Sequence, residues 1–324
     1  MKAAVYTSYG PPDVLQIRDV EKPVPKDNEV LIEVRTASVN PLDWRIMRGR
    51  PFLVRILFGL RKPRITRPGV DVAGQVEAVG RNVTQFKSGD DVFGACRGAF
   101  AEYACAIEDR LALKPANISF EDAAAVPVAA LTALQGLRDR GSIQRGHKVL
   151  VDGASGGVGT FAVQIAKSFG AEVTAVCSTR NVDTARSIGA DHVIDYTRED
   201  FTQSGQRYDL ILAANAYHSI FDYRRALRQN GIYVMAGGGG VQMLQGMFLG
   251  PFLSLIGSKK MRLVMAKISK KDLVLLKDLL AAEKIVPVIE RRYPLSETAE
   301  AIRYLEEGHA QGKVVITVED GNDT

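Results

Sequence analysis

Ala154-x-Gly156-x-x-Gly159 stands between the apolar run Lys148-Val149-Leu150-Val151-Asp152 and the amphipathic stretch Thr160–Phe169. The run reads as a buried strand, and the stretch as a helix closed by Gly170 in the C′ position. Glycines in such a turn permit a tight bend. They also let the backbone approach a pyrophosphate at the helix N-terminus, where free N–H groups and the helix dipole favour negative charge. Glycine turns arise for steric reasons too. The strand before this one and the helix after it make it a dinucleotide fingerprint, with alanine in place of the first glycine.

In a site for NAD, an acidic residue about 20 positions on usually binds the adenosine ribose. The second strand here ends Cys177-Ser178-Thr179-Arg180-Asn181, with no acid among these residues. An arginine and two hydroxyls suit a 2′-phosphate, which favours NADPH over NADH. The plainer alternative is that Arg180 opens a solvated helix. Tyr196, after the third strand, is placed to stack on or border the adenine end.

Other chemistry is sparse. Cys96, Cys105 and Cys177 show no metal-ligand spacing, and His147, His192, His218 and His309 are scattered with no i, i+4 pair, so no metal is expected. The first segment, Met1–Tyr6, lacks the long apolar core of a signal peptide, and a cytoplasmic location is the default expectation. The longest apolar stretch, Val241–Ile256, is broken by Gly246, Gly250 and Pro251 and falls short of a membrane span. This Met- and Leu-rich stretch, up to Met265, covers an apolar substrate, packs subunits together or fills a core.

The net charge of +5 is mild but unevenly spread. Between Trp44 and Arg67 stand Arg45, Arg48, Arg50, Arg55, Arg61, Lys62, Arg64 and Arg67, with no acid. Phe52, Leu53, Ile56, Leu57 and Phe58 are interleaved with them. Such a segment can lie on an anionic membrane surface, grip RNA or attract an anionic ligand. The bland reading is a loop that packs its apolar side and solvates its arginines. DNA is not expected.

At 324 residues the chain is long enough for two domains. Residues 1 to about 120 read as β-rich, with strands at Ala3–Tyr6, Val14–Arg18, Glu29–Ser38, Asp71–Val79 and Asp91–Phe93 and no helix–strand alternation. Ser119-x-x-Asp122 resembles a capping box and opens an alanine-rich helix, broken at Pro127 before a second run, Ala129–Arg138. From Lys148 strands and helices alternate: strands Glu172–Cys177, His192–Asp195, Tyr208–Ala213 and Ile232–Ala236, helices Val182–Ile188 and Ile220–Arg228. That alternation specifies a parallel sheet with helices on both faces. Ser269-x-x-Asp272 caps another helix, to about Lys284. Val288–Tyr293, a helix Glu297–Glu307 and the strand Lys313–Val318 finish the chain, with Glu319–Thr324 frayed.

The order of these parts resembles the medium-chain dehydrogenase/reductase superfamily, and within it the zinc-free, zeta-crystallin-like quinone oxidoreductase branch. The resemblance covers essentially the entire chain. It is carried by Ala37-Ser38-Val39-Asn40-Pro41-Leu42-Asp43, Pro68-Gly69-Val70-Asp71-Val72-Ala73-Gly74, Leu131-Thr132-Ala133, the glycine fingerprint and Gly312-Lys313-Val314-Val315. It implies an α/β protein: a GroES-like β-rich catalytic domain over 1–120, completed by 261–324, and a Rossmann doubly wound parallel-sheet domain over 121–260. Substrate is expected between them, and a homodimer is implied.

Zinc alcohol dehydrogenases of this superfamily hold catalytic zinc with Cys, His and Cys. The matching places here are Asn40, Val70 and, less securely, Val128, and the valines cannot coordinate a metal. Without a Lewis acid a simple alcohol is a poor hydride donor, whereas quinones and α,β-unsaturated carbonyls accept hydride conjugatively. By resemblance Asn40 and Thr132 flank the nicotinamide riboside, and Ser155, Gly156, Gly157 and Val158 hold the pyrophosphate. Ser178, Arg180 and Tyr196 contact the adenosine end, Asn215, Gly237 and Gly238 lie at strand ends, and Lys313 approaches the cofactor. No residue declares itself a general acid; Asp43 and Tyr217 are candidates on position alone. The expected activity is NADPH-dependent reduction of an apolar quinone or enone. The alternatives are another zinc-independent aldehyde or alcohol oxidoreductase of the superfamily, or an NADPH-binding structural or RNA-binding protein.

Overall fold

The computed structural model describes residues 1–308 and 310–318, the side chain of Leu53 aside. His309 and the expected fraying of Glu319–Thr324 lie outside the described residues. Strands β1 (Lys2–Val5), β2 (Gln16–Asp19) and β3 (Glu29–Val39) lead into helices α1 (Pro41–Arg48) and α2 (Phe52–Phe58). Strands β4 (Asp71–Val79), β5 (Asp91–Ala95), β6 (Tyr103–Ile107) and β7 (Leu111–Leu113) follow, then α3 (Phe120–Ala125) and α4 (Pro127–Gln135). The alternating part runs β8 (Lys148–Asp152), α5 (Gly157–Ser168), β9 (Glu172–Cys177), α6 (Val182–Ser187), β10 (His192–Asp195), β11 (Tyr208–Ala213), α7 (Ile220–Ala226) and β12 (Leu227–Met235). After α8 (Gly240–Leu244), α9 (Gly250–Leu255) and β13 (Lys260–Leu263) come α10 (Lys270–Ala281), β14 (Ile289–Pro294), α11 (Thr298–Glu306) and β15 (Lys313–Thr317).

These elements form two compact units. One holds Met1–Val128, Ile268–Ala282 and the chain from Ile289 on; the other holds Ala129–Lys267 with Glu283–Val288. In the first, β14, β15, β3, β4, β5 and β7 lie in that order, and β6 pairs with the first half of β3. The second half of β3 pairs antiparallel with β15, Val39 opposite Val314. This register carries Lys313 to the end of β3, where Asn40 begins α1. Ile32, Val72, Phe100, Leu111 and Ile316, all fully buried, form the core.

In the second unit all six strands are parallel, in the order β10, β9, β8, β11, β12, β13. The chain winds outward from β8 to β10, then returns to β11 on the other side of β8. Ligands of doubly wound sheets bind outside the carboxyl ends of the strands at this reversal. Val149, Leu150 and Val151 have no exposed surface, as a strand covered on both faces requires.

The structure departs from the sequence reading in identifiable places. The Trp44–Arg67 stretch is a loop only in part, over residues 59–67, and the β-rich part does contain helices: α1 and α2. At the start of α1 the Asn40 backbone carbonyl accepts from Asp43 N–H at 3.0 Å and the Asp43 carboxylate accepts from Asn40 N–H at 2.8 Å, with Pro41 in the first turn and Gly49 (φ 60°) closing the end. β6 and β7 are additional strands. α3 packs on β3 and β4, so the β-rich unit extends past residue 120, and residues 261–267 stay with the parallel sheet. Ser119 caps α3 as expected, its hydroxyl accepting from Asp122 N–H at 3.0 Å. Ser269 stands at the start of α10 but its side chain makes no capping bond. The helix expected over Ile220–Arg228 stops at Ala226, where β12 begins.

Candidate functional site

The glycine turn divides its labour among three glycines. Gly153, one residue before the expected first position, takes the left-handed φ of 77°, so the tight bend falls there and Ala154 keeps an ordinary conformation. A Cβ on Gly159 would stand 2.1 Å from Gly153 O, so this glycine lets α5 close against the turn. Gly156 differs from both. Its φ of −79° is ordinary, and a Cβ added there would meet nothing nearer than Gly153 O, at 3.7 Å. Nothing in the protein demands glycine there, which fits a position kept bare for a ligand's approach. The first bond of the helix runs from Thr160 N–H to Gly156 O, leaving the N–H groups of Gly157 and Val158 without a partner inside the helix. Ser155, Gly156, Gly157 and Val158 are half-buried. A pyrophosphate fits this cradle and the positive end of the α5 dipole.

Ser178, half-buried, follows β9 and accepts from Asn181 Nδ2 at 3.1 Å; Arg180 is exposed beside it. One of the two hydroxyls expected to meet a phosphate is already occupied. Thr179 Oγ1 donates to Asp195 Oδ2 at 2.5 Å and lies 3.0 Å from Thr197 Oγ1. Asp195 ends β10 opposite Cys177. The Thr179 hydroxyl, then that of Thr197, holds its carboxyl below the usual range and therefore ionised. Tyr196, next along, is exposed.

Asn215 is exposed after β11, and Gly237 and Gly238 follow β12. The two turns bind each other, Ala216 N–H donating to Gly237 O at 2.9 Å. Under them lies a buried polar hub. Tyr223 OH donates to Asp152 Oδ2 and accepts from Tyr217 N–H at 3.0 Å and His218 N–H at 3.4 Å. Burial raises the Asp152 carboxyl to about 6, while the Tyr223 hydrogen bond acts against the rise. Tyr217 itself points its ring to solvent, 80% exposed. Ser155–Val158, Ser178, Arg180, Tyr196, Asn215, Gly237 and Gly238 thus follow the carboxyl ends of five strands along one edge of the sheet. Thr132, nearly buried, lies in α4 of the same unit.

In the β-rich unit a second polar cluster is closed on itself. Lys313 Nζ, 3% exposed, donates to Asn40 Oδ1 at 2.8 Å and to Val39 O at 3.4 Å, and stands 3.4 Å from Asp71 Oδ2. Asp71 also accepts from Ser38 Oγ at 2.8 Å, Asn40 Nδ2 at 2.9 Å and Val128 N–H at 3.0 Å. The amide of Asn40 is therefore fixed, with its oxygen on an ammonium and its nitrogen on a carboxylate. Burial lowers the Lys313 pKa from its usual value, and the Asp71 charge counters that. Lys313 is expected to approach the cofactor; its observed contacts instead hold Asn40. Asp43 accepts from Asn40 N–H at 2.8 Å, and burial pushes its carboxyl up to about 7. It serves as the α1 cap.

Asp71 is the functional candidate that sequence reading missed. Its signal was present, a carboxylate in the apolar strand pattern Val70-Asp71-Val72-Ala73, where an acid needs buried partners. At the three places matching zinc ligands, Val70 and Val128 bring no donor side chain and the Asn40 oxygen faces the Lys313 ammonium. These residues do not fit a zinc ion. Among the described residues no group of three His, Cys, Asp or Glu side chains is arranged to hold a metal.

Residues 26–116 match the alcohol dehydrogenase GroES-like domain family, and residues 188–316 match a family described as zinc-binding dehydrogenase. The chain is 36% identical to the chloroplast envelope quinone oxidoreductase homolog of Arabidopsis thaliana, over 98% of each chain. It is 34% identical to the NADPH-dependent alkenal/one oxidoreductase, chloroplastic, of the same plant, over 98% of this chain and 79% of that one. The structure of the quinone oxidoreductase from Coxiella burnetii superposes with a TM-score of 0.87 at 29% identity, covering 98% of this chain and 99% of that chain. Two folded units with these signatures, matched along almost their whole length, mark the chain as a member of the quinone oxidoreductase branch of the medium-chain dehydrogenase/reductase superfamily.

Proposed function

We propose that the protein is an NADPH-dependent oxidoreductase that transfers hydride, without zinc, to a quinone or an α,β-unsaturated carbonyl. The observation that carries this reading is Lys313. A buried ammonium, anchored on Asn40 and Asp71, stands among the positions that match zinc ligands. An acceptor that spreads charge by conjugation needs only hydrogen-bond stabilisation of its oxygen, so the chemistry is available without a metal. The bound nicotinamide supplies the hydride. The protein's part is to hold and orient it and to exclude water. Ser155–Val158 cradle the pyrophosphate. Asn40, its amide fixed by Lys313 and Asp71, and Thr132 serve the nicotinamide riboside. Asn215, Gly237 and Gly238 line the strand ends.

NADPH is favoured over NADH because Arg180, with Ser178 and Tyr196, faces the adenosine end, and a guanidinium fits a 2′-phosphate. The Asp195 carboxylate at the end of β10 is engaged by Thr179, Thr197 and Arg198. The names of relatives, a quinone oxidoreductase homolog and an NADPH-dependent alkenal/one oxidoreductase, support the same substrate classes. A homodimer is supported by the exposed Phe248, Phe252 and Leu255 and by the edge position of β13.

The test is oxidation of NADPH and NADH by purified protein with quinones, alkenals, long-chain enones and aldehydes. Turnover with at least one quinone or enone is expected, faster with NADPH. Arg180→Ala should raise KM for NADPH roughly tenfold, the loss of one charge-assisted contact of about 1.4 kcal/mol, and leave that for NADH nearly unchanged. Absence of turnover with every quinone and enone would reject the reading.

A further inference from the structure

Among the described residues, nothing covers the apolar face of helix α2. Phe52 and Ile56, one turn apart, are 64% and 57% exposed, and Leu57 and Leu60 extend the surface at 65% and 60%. The opposite side is anchored. Arg55 lies over the Tyr9 ring at 4.9 Å and donates to Gly49 O at 3.2 Å, and Tyr9 OH donates to Gly59 O at 2.6 Å. The exposed side chains are thus held outward on a fixed frame.

Charge surrounds this face. Arg50, Arg61, Lys62 and Arg64 are exposed, and none of them makes an ion pair among the described residues. No acid occurs between Trp44 and Val70. Where the same stretch does use a cation for structure, it finds an acid elsewhere, as Arg48 does with Glu306. A contiguous apolar surface on a monomer is unusual, and one rimmed by cations of a single sign calls for an anionic partner with an apolar interior.

We propose that the α2 face docks this protein on an anionic lipid bilayer. Phe52, Ile56, Leu57 and Leu60 enter the boundary between headgroups and acyl chains, and Arg50, Arg61, Lys62 and Arg64 lie against the headgroups. At seven residues α2 is too short to span a bilayer, so it lies in the plane of the surface. A second copy of the chain fits less well, because pairing this face with itself sets like charges together. RNA fits less well because three of the four exposed apolar side chains are aliphatic, whereas single-stranded recognition relies on aromatic stacking. The docking is independent of the hydride-transfer reading.

The intact protein is sedimented with vesicles of phosphatidylcholine alone and of phosphatidylcholine with phosphatidylglycerol, at about 0.1 M salt, where charges are screened beyond ~10 Å. Binding is expected to the anionic vesicles only, and to weaken as salt rises. Each cation near such a surface strengthens partitioning about fivefold, so Arg61→Glu/Lys62→Glu/Arg64→Glu should weaken it by at least ~100-fold. Ile56→Asp/Leu57→Asp should weaken sedimentation well beyond the ~25-fold that its two added charges alone would cost a purely electrostatic attraction. Both variants are checked by their thermal unfolding, which should match the parent. Failure of the parent to sediment, equal binding to neutral vesicles, or a loss of no more than ~25-fold in Ile56→Asp/Leu57→Asp would overturn the proposal. So would RNA binding, or a change of oligomeric state in Ile56→Asp/Leu57→Asp, without vesicle binding.

Discussion

Gly156 and Gly159 occupy the same turn for different reasons, and substitution separates them. At Gly156 the backbone suits alanine and no atom is close, so the gain through the unfolded chain and the loss of a favoured N-cap residue roughly cancel, and Gly156→Ala should change stability by less than about 1 kcal/mol. The new methyl group would meet the pyrophosphate, and the Kd for NADPH in a titration should rise at least ~tenfold, about 1.4 kcal/mol. At Gly159 the helix propensity of alanine, worth ~1 kcal/mol, is outweighed by the collision with Gly153 O, and a net loss of about 1–3 kcal/mol in stability is expected. Equal stability losses for both variants would remove the argument that Gly156 is kept bare for a ligand.

Asp43 gives a prediction in pH. Burial raises its folded pKa to about 7 from 3.8, so between these values the native state holds a proton that the unfolded chain has released. The contribution to stability is complete below about pH 4 and is lost as pH rises to about 7, each pH unit being worth about 1.4 kcal/mol. Asp43→Asn should remove this decline, visible as a narrowing gap between the Tm profiles of the two proteins; parallel profiles would contradict it. At this scale Asn40 and the glycines were legible because each sits in a local motif. The Asn40–Lys313 contact was not, because it joins residues 273 positions apart through the β3–β15 register.

Among the elements, the loop after β11 depends on one hydroxyl. Tyr223→Phe would take one donor from the Asp152 carboxylate, leaving that of Gly153 N–H, and would strand the N–H groups of Tyr217 and His218. An unsatisfied buried group costs about 1–3 kcal/mol. Amide exchange is expected to accelerate across residues 214–219 and to stay slow in α5; unchanged exchange in the loop would deny Tyr223 this positioning role. The βα alternation from Lys148 onward was readable in the sequence because both strand and helix periods are regular and glycines end the helices. α1 was not read from the sequence, although Asn40-Pro41-x-Asp43 is a cap followed by proline, and the basic residues after it read as a solvated loop. The end of α7 was not readable, since Leu227 continues the apolar helix pattern while its backbone joins β11.

For the whole molecule, the two-part organisation and the parallel sheet followed from element order, whereas the boundary at Val128 did not. α3 follows the β-rich stretch as a helix should begin a new part, yet its buried Ala123, Ala124 and Ala125 pack back on β3 and β4. The proposal of zinc-free chemistry rests on residues of the β-rich unit: valines without donors, and an ammonium on the Asn40 oxygen. As proposed, this scaffold delivers hydride directly from NADPH to a conjugated acceptor. NADPH carrying deuterium at both C4 positions is oxidised with an enone, the product being read by mass spectrometry and NMR. Deuterium is predicted at the β-carbon, and in deuterated water with ordinary NADPH at the α-carbon. Oxidation of NADPH that leaves no cofactor-derived deuterium at the β-carbon would contradict it.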